Sequence, residues 1–490
     1  MNRTPRDLLN RRDLLRGLAG GAVGMGLASQ LASAGYFHGA SPLTALPAKA
    51  KRVIFLFMVG GPSQMDLFDY KPELERRHGQ TVDYEKRRRD KTSSVILSFK
   101  NKKQWKQYGE TEQWCSDALP QLSQHMDKLA VIKSLYTDSF AHGSALLQMN
   151  SGQFVQGHPA MGAWIHYALG SENADLPGFV VMHDPRGGPI AGPANWTSGY
   201  MPATHQGTLF RATGDPLLDM TPAMDSAQAH LSLEGRKRQL EAIRFLNERH
   251  AGLRRGSAEL DARTKSHDLA WNMQTTAPEA LDITTQESEQ TREMYGLNEP
   301  KPDHPLAVGP AVFGRQCLIA RRLIERGVRY VQIYHGGGHQ QQTWDAHHGV
   351  EENLSIHCPE IDRPISGLLT DLEQRGLLDE TLVIWGGEFG RQPVSQQASP
   401  GQVASSSGRD HNPKGFTMWL AGAGVRPGAV GETDELGMEA AVDRHHVRDL
   451  HATVLHLMGL DHERLIYPFG GLDRKLTGVI EPELIHGVIA

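Results

Sequence analysis

Short apolar runs that border glycine-rich polar segments constrain the fold of this chain more than any other sequence feature. Val53–Val59 is continuously apolar and is followed by Gly60-Gly61-Pro62, which is typical of a strand buried on both faces of a sheet. Further strand-like runs occur at 129–132, 179–182, 328–334, 381–385 and 416–420. Segments of helical spacing separate these runs, and the alternation predicts an α/β fold with a mostly parallel central sheet flanked by helices.

The composition is that of a soluble globular protein with a sizeable core. Of the 490 residues, 39% are hydrophobic and 22% are charged, and the formal net charge is −5. The acidic balance, with no basic block after residue 90, argues against nucleic acid as the main partner. The cysteines Cys115, Cys317 and Cys358 form no closely spaced pair, so neither a zinc ribbon nor a disulfide framework is indicated.

The segment 1–34 is predicted to be a twin-arginine signal peptide. Arg11 and Arg12 precede a weakly apolar, uncharged run at 17–32, and a small-residue cleavage site ends at Ala34, which is the order of such a signal. An uncleaved anchor or a buried helix is the alternative, but the run is shorter than the ~20 residues that span a bilayer. No other stretch reaches that length. The protein is therefore expected in the periplasm or outside the cell, with no integral membrane span after cleavage.

Residues 35–490 are expected to form a single domain with two insertions. Residues 71–112 are charged and polar, and residues 228–305 begin with a charged segment that predicts an exposed helical hairpin at 228–270. Either insertion could cover a site or contact another protein, and no motif decides between these roles. Residues 394–408 are a low-complexity loop without core-forming content.

Acidic and histidine side chains gather in the polar segments next to the strands. Ligands of open α/β sheets bind beyond the carboxyl ends of the strands, and carboxylate and imidazole groups there can hold zinc or a harder cation. The sequence therefore predicts one or two divalent metal ions, with zinc, manganese and calcium as the candidates. The proposed metal ligands are Asp66, Asp345, His347, Glu388, Asp410 and His411. Arg391 and Arg409 are bidentate donors suited to a phosphate or sulfate group.

Each of these residues also has an ordinary structural interpretation. Asp66 could cap a helix or form a turn, and Glu388 could pair with Arg391, three residues away. For any one residue the structural role is favoured, whereas several such clusters next to strands favour a shared site. His445 and His446 are expected to lie on a solvated loop.

Several motifs resemble one family of secreted bacterial proteins, the domain of unknown function 1501. The second half of the chain contains WDAHH, GLLDETLVIWGGEFGR, GRDHNP and DLHATVLHLMGLD. The first half contains FMVGGPSQMDLFDYKPEL, MNSGQF and WTSGYMPATHQGT, which look like the same pattern. The family is abundant in planctomycetes and often bears twin-arginine signals. It is similar to the alkaline phosphatase and sulfatase superfamily, which implies an alkaline-phosphatase-like sheet here.

The wider resemblance implies roles for individual residues. Glu388 stands where sulfatases carry a metal-binding aspartate and Phe389 where they carry a histidine, while Asp66 resembles the first metal aspartate of the superfamily. Asp345, His347 and His411 resemble the further aspartate and histidine ligands of those superfamily members that bind two metal ions. His142 falls where sulfatases carry the cysteine or serine that becomes formylglycine. Because no C-x-P-x-R or S-x-P-x-R motif occurs, the resemblance implies chemistry without formylglycine.

These inferences lead to the hypothesis of an exported, metal-dependent hydrolase of phosphate or sulfate esters, including esters of a sulfated polysaccharide. His142 could be a nucleophile, a metal ligand or a general base, and Ser144 is a weaker nucleophile candidate. Arg391 and Arg409 would stabilise the anionic transition state. The rival hypothesis is a non-catalytic periplasmic binding or scaffold protein on the same fold, which Phe389 at a metal position supports. A purely structural metal is a third possibility.

Overall fold

The computed structural model describes residues 46–87, 90–98, 104–214, 216, 233–253, 258–338, 340–396 and 407–490. The predicted signal peptide at 1–34 and most of the low-complexity loop at 394–408 lie outside these residues. Among the described helices, none has both the length and the apolar character needed to cross a membrane.

The described strands and helices alternate along much of the chain. The strands are β1 (Arg52–Met58), β2 (Thr81–Arg87), β3 (Asp90–Val95), β4 (Trp105–Tyr108), β5 (Gln113–Ser116), β6 (Leu129–Tyr136), β7 (Phe179–Met182), β8 (Thr208–Phe210), β9 (Tyr330–His335), β10 (Thr381–Gly386), β11 (Gly390–Ser395), β12 (Arg409–Asn412), β13 (Phe416–Gly422), β14 (Gly428–Val430), β15 (Glu432–Thr433), β16 (Ala440–Val442), β17 (His445–His446), β18 (Tyr467–Phe469) and β19 (Leu472–Arg474). The helices are α1 (Pro72–Arg76), α2 (His142–Ser151), α3 (Met161–Leu169), α4 (Leu233–Leu253), α5 (Ala258–Leu281), α6 (Glu289–Met294), α7 (Pro310–Glu325), α8 (Val350–Gln374) and α9 (Val447–Leu457).

Nine of the described strands form one sheet, which positions everything else. Its order is β14-β6-β13-β10-β1-β9-β7-β8, and β17 pairs with β6 outside this path. Strand β13 runs antiparallel to its neighbours β10 and β6, whereas the other pairs in the sheet are parallel. The predicted α/β fold with a mostly parallel sheet is therefore confirmed.

Both faces of the sheet are covered, which explains the continuously apolar sequence of β1. Ile54 and Leu56 belong to a hydrophobic cluster with side chains of α7 and α8, whereas Phe55 and Phe57 belong to a cluster with side chains of α2, α3 and α9. Successive side chains of a strand point to opposite faces. An alternating polar pattern would therefore have placed polar groups in one of the two cores.

The two segments expected to be insertions stay outside this sheet wherever they are described. Residues 71–112 contain the hairpin of β2 and β3 and the strand β4, which pairs with β5. The described part of residues 228–305 contains α4, α5 and α6, and α4 contacts α5.

Helix α8 is longer than its sequence pattern predicts. The spacing indicates a helix from Ile361, but α8 begins at Val350 and contains Pro359 and Pro364. An internal proline removes a helical hydrogen bond and disfavours helix. The apolar side of α8 packs against α7 and the sheet, and this burial outweighs the cost.

The prediction that His445 and His446 lie on a solvated loop is wrong. They form β17, with exposed fractions of 6% and 3%. His446 Nδ1 accepts a hydrogen bond from Arg448 N at 3.1 Å, and the Asp449 carboxylate accepts one from His446 N at 2.7 Å. A two-residue strand has no periodicity to recognise, and its residues are buried because they pair with β6 at the sheet, while His446 also caps α9.

Replacing Ile384 by alanine is expected to lower the free energy of unfolding by about 2–5 kcal/mol, because its side chain is fully buried on the central strand β10. The matched control is Ile480→Ala, at a position that is 57% exposed, where the expected change is within about 0.5 kcal/mol. Urea unfolding monitored by tryptophan fluorescence measures both values. Equal losses in the two variants would contradict the central position of β10.

Candidate metal centre

Three histidines and one aspartate converge at the carboxyl edge of the sheet. His142 begins α2, Asp345 and His347 lie in the loop after β9, and His411 lies in β12. The Nε2 atoms of His142, His347 and His411 lie 3.2, 2.9 and 3.1 Å from Asp345 Oδ1. One ligand atom from each of the four residues lies within 4.8 Å of all the others. The chain thus brings four possible metal ligands from three distant segments to one point.

In each of the three histidines, the other ring nitrogen, Nδ1, lies within hydrogen-bond distance of an oxygen atom. The Nδ1 contacts are His142 with Glu388 Oε1 (2.7 Å), His347 with Gln396 Oε1 (2.5 Å) and His411 with the carbonyl oxygen of Phe140 (2.7 Å). In the neutral rings, Nδ1 therefore carries the proton and Nε2 presents a lone pair toward Asp345. Lone pairs that face a carboxylate repel it, and a cation between them converts this repulsion into attraction.

Asp345 Oδ1 has more close neighbours than hydrogen bonding can explain. Besides the three imidazoles, Arg391 Nη2 lies 2.7 Å from it, whereas one carboxylate oxygen offers about two lone-pair sites. The buried Nε2 atom of His142 makes no hydrogen bond among the described residues. A buried polar atom without a partner calls for an explanation, and a metal ion held by this group supplies one. The residues present therefore fit a metal site.

Arg391 is fully buried beside this group and holds the backbone around it. Its Nε donates to the Gly61 carbonyl at 2.9 Å and its Nη1 to the Arg409 carbonyl at 3.2 Å, while Nη2 also contacts the Gly60 carbonyl. Together with Asp345, these acceptors engage four of the five N–H donors of a guanidinium. Arg391 therefore fastens the segment after β1 to the aspartate.

Burial and nearby charges shift the ionisation of the group. Burial raises the pKa of Asp345. Arg391 and the three histidines lower this pKa by a larger amount, so it lies well below its usual range. Burial lowers the pKa of His142, but the nearby carboxylates of Asp345 and Glu388 outweigh this effect and raise it to about 9. Burial lowers the pKa of His411 to about 4. The carboxylates thus favour one added positive charge, either a proton on His142 or a metal ion.

Close backbone packing between the end of β1 and the loop after β9 places Asp345. Trp344 N donates to the Val59 carbonyl at 2.8 Å. Gly60 follows with a φ of +104°, and a Cβ atom at this position would lie 2.6 Å from Asp345 N. Gly60 N also donates to both carboxylate oxygens of Glu388, at 2.9 and 3.1 Å. Only glycine satisfies both the backbone angle and this approach.

Glu388 and Phe389, which follow β10, contact the histidine rings. Glu388 is fully buried, and its carboxylate is shared between His142 Nδ1 and Gly60 N. The ring of Phe389 lies with its centroid 4.5 Å from that of His411 and 5.0 Å from that of His142. Both residues therefore contact imidazole rings of the group, and neither is one of the four converging residues.

The other residues singled out from the sequence lie around this group. Asp66 accepts from Arg409 Nε at 3.0 Å and from Ser63 Oγ at 2.5 Å, and it is not one of the four converging residues. Asp410 lies at the rim, with Oδ1 3.9 Å from His347 Nδ1. The Ser144 hydroxyl lies 2.6 Å from Ser139 Oγ.

Sequence reasoning missed two of the three groups that orient the histidines. Gln396 lies within a low-complexity stretch, where its residue type gives no functional signal. Phe140 contributes a backbone carbonyl, which no residue type encodes. The spacing of Glu388 from β10 does reveal a carboxylate at the strand end, but not that its partner is a histidine.

Comparison with known protein families returned a match over most of the chain. The profile of the family described as "Protein of unknown function (DUF1501)" matches residues 50–489. Comparison with curated protein sequences returned no match.

The solved structures that resemble this chain have low sequence identity to it and low TM-scores. The lipoteichoic acid synthase LtaP from Listeria monocytogenes is 10% identical, with 90% of this chain and 79% of that chain covered and a TM-score of 0.36. The PsFucS1 sulfatase from Pseudoalteromonas sp. is 9% identical, with 93% and 73% covered and a TM-score of 0.34. The periplasmic domain of EcEptC from Escherichia coli, in complex with Zn, is 8% identical, with 86% and 87% covered and a TM-score of 0.33.

The Gly60→Ala variant is expected to weaken both the fold and metal binding, because the new Cβ atom would push Asp345 away. Gly79→Ala is the matched control, since Gly79 also has a positive φ, +82°, but a Cβ atom added there would meet no atom within 4 Å. Its expected cost is the left-handed penalty alone, about 1–2 kcal/mol. Urea unfolding and zinc titration compare the two variants. Equal zinc affinity in both would contradict the placement of Asp345 by Gly60.

Proposed function

We propose, from the premise that the chain belongs to the family of unknown function DUF1501, that it hydrolyses phosphate or sulfate esters at a single metal ion. The observation that carries the proposal is the convergence of three imidazole Nε2 atoms on Asp345, with each Nδ1 held by an acceptor. Histidines oriented by a second acceptor are the usual ligands of metal ions in proteins.

Zinc is the ion that this group of ligands suits best. Three nitrogen atoms and one oxygen atom would be offered by His142, Asp345, His347 and His411. Zinc binds such mixed groups of nitrogen and oxygen ligands. Calcium takes ~6–8 oxygen ligands, and manganese is better served by oxygen-rich sites. The donor types therefore favour zinc among the three candidate ions.

The pairing of the remaining carboxylates supports one ion and not two. Asp66 is bound to Arg409 at 3.0 Å, and Glu388 is bound to His142 at 2.7 Å. Arg391 already places a positive charge 2.7 Å from Asp345 Oδ1. A second cation would have to displace these partners. In its place, Arg391 would supply the second positive charge, beside the first metal ion.

A bound zinc ion would polarise an ester oxygen and lower the pKa of a bound water molecule. The N-terminus of α2 lies beside this position, because His142 is its first residue. The backbone N–H groups of residues 142–144 precede the first hydrogen bond of the helix, from Ala145 N to the Ala141 carbonyl at 2.9 Å. These N–H groups and the positive end of the helix dipole would bind the anionic part of the ester. Gly143 leaves room for it, since a Cβ atom there would meet only Ile190, at 3.6 Å.

The two arginines would act by positioning carboxylates. Arg391 and Arg409 are both fully buried, and they are bound to Asp345 and Asp66. In this arrangement the N-terminus of α2 and a bound metal ion would stabilise the anionic transition state. Ser144, in the first turn of α2, is the alternative nucleophile to a water molecule.

We also propose that the protein is exported in folded form by the twin-arginine route. Support comes from Arg11 and Arg12, the uncharged run at 17–32 and the small residues that end at Ala34. A protein that folds before export could bind its metal in the cytoplasm. Folding first would matter here, because the centre is formed by three distant segments of the chain.

Purified protein is expected to carry about one zinc ion per chain, and Asp345→Asn is expected to lose it, because the variant removes the charged ligand at the centre of the group. Asp410→Asn is the matched control, since Asp410 lies at the rim, 3.9 Å from His347, and zinc should be retained. Inductively coupled plasma mass spectrometry of both variants measures the metal. Zinc at full occupancy in Asp345→Asn would contradict the assigned ligand group.

Zinc-loaded protein is expected to hydrolyse an aryl phosphate or an aryl sulfate, and Asp345→Asn is expected to lower kcat/KM by ~100-fold or more. Ser144→Ala should retain activity if water is the nucleophile and should abolish it if Ser144 is. Release of nitrophenolate measures the rates. Stoichiometric zinc without hydrolysis of any ester in a broad panel would favour the non-catalytic binding or scaffold protein.

A further inference from the structure

A second group of buried titratable side chains lies next to the loop that carries Asp345. His335 ends β9, His357 and Glu360 lie on α8, and their exposed fractions are 1%, 0% and 0%. Arg186, in the segment after β7, donates to Glu360 Oε2 at 2.9 Å. Together, His335, His357, Glu360 and Arg186 form the buried His–Glu network.

His335, His357 and Glu360 lie close enough together to hold a metal ion, but the tautomer of His335 does not suit one. Trp344 Nε1 donates to His335 Nδ1 at 3.0 Å, so the proton of His335 is on Nε2, which faces Glu360 Oε2 at 3.1 Å. A ring nitrogen that carries a proton has no lone pair for a metal. The guanidinium of Arg186 donates to the same carboxylate oxygen at 2.9 Å.

The two histidines of the network bind the loop just before Asp345. His335 binds the indole of Trp344, the residue that precedes Asp345 in the chain. His357 Nε2 lies 3.1 Å from the carbonyl oxygen of Gln341. Both ring nitrogens of His357 face acceptors, because its Nδ1 lies 3.1 Å from Glu360 Oε2. The ring therefore links α8 to the loop.

Two further side chains fix other points of the same loop. Asp184 pairs with Arg186 at 2.7 Å and accepts a hydrogen bond from Gly336 N at 2.9 Å. Asn353 Nδ2, on α8, donates to the Thr343 carbonyl at 2.8 Å. The loop is thus bound at its first residue, in its middle and immediately before the aspartate.

The burial of these charges requires a reason beyond stability. Burying ions costs free energy, and well-packed apolar residues often stabilise a fold as well or better. Burial raises the pKa of Glu360, but hydrogen bonds to His335 and His357 lower it well below its usual range, so the carboxylate stays charged. Directional hydrogen bonds restrict the loop to one arrangement, which apolar packing does less well.

We infer that the buried His–Glu network positions Asp345 and His347 for metal binding. This inference rests on the proposed metal centre, because the network acts only through those two ligands. Trp344 is the positioning residue that joins the two groups, since its indole binds His335 and its backbone continues into Asp345. Loss of such supporting contacts commonly lowers metal affinity by ~10–100-fold.

Zinc titration of the full-length Trp344→Phe variant tests the inference. Phenylalanine retains aromatic packing and removes the Nε1 donor, so the Kd for zinc should rise by ~10-fold or more. Trp419→Phe is the matched control, because Trp419 is equally buried and its Nε1 makes no hydrogen bond among the described residues. Its Kd should equal that of the wild type. Competition with a chromophoric chelator gives the Kd, and thermal unfolding compares the stability of the two variants.

The outcomes separate the inference from the proposed function. If the wild type and Trp344→Phe bind zinc equally tightly, the positioning role is overturned and the proposed metal centre stands. If the wild type takes up no zinc, the proposed function is overturned and the positioning role with it.

A second pair of variants covers the case in which Trp344→Phe does not fold. His357→Gln keeps an N–H donor for the Gln341 carbonyl, whereas His357→Leu removes it. With cobalt in place of zinc, the visible absorption spectrum reports the geometry of the ligands. We expect a spectrum like that of the wild type for His357→Gln and an altered one for His357→Leu. Identical spectra for all three proteins would overturn the inference.

Discussion

The candidate metal centre of this protein depends on the charge of Asp345. Three imidazole nitrogens and one guanidinium nitrogen lie within 3.2 Å of its Oδ1 atom, more than one carboxylate oxygen can accept as hydrogen bonds. The Nδ1 atom of each imidazole contacts an oxygen atom other than those of Asp345. The orientation of each ring is therefore set independently of the aspartate. The arrangement fits the proposed metal ion, and the surrounding fold keeps the four side chains together despite their mutual repulsion.

The sheet makes this convergence possible because its parallel strands end at one edge. Strands β1, β9 and β10 are adjacent, and the segments that follow them carry Gly60, Asp345 and Glu388. Gly60 allows the first two segments to approach within a distance that no side chain would permit. On the other side of the loop, the buried His–Glu network joins it to α8. Asp345 is thus held from both sides by groups that are largely buried.

Much of the fold could be predicted from the sequence, because apolar runs such as Val53–Val59 report burial on both faces of a strand. Asp345, His347 and His411 could be named as ligand candidates since acidic and imidazole groups next to strands are informative by type. The partners of individual carboxylates could not be predicted. Asp66 and Arg409 are 343 positions apart in the chain, and a charge pair over such a distance leaves no local pattern.

The central claim is that three histidines and one aspartate form the first coordination shell of one metal ion. X-ray absorption spectroscopy of the zinc-loaded protein at the zinc edge tests it most directly. The account predicts a shell of about four nitrogen and oxygen atoms at ~2.0–2.2 Å, with the multiple-scattering signal of three imidazole rings. A shell of oxygen atoms alone, without imidazole scattering, would contradict it.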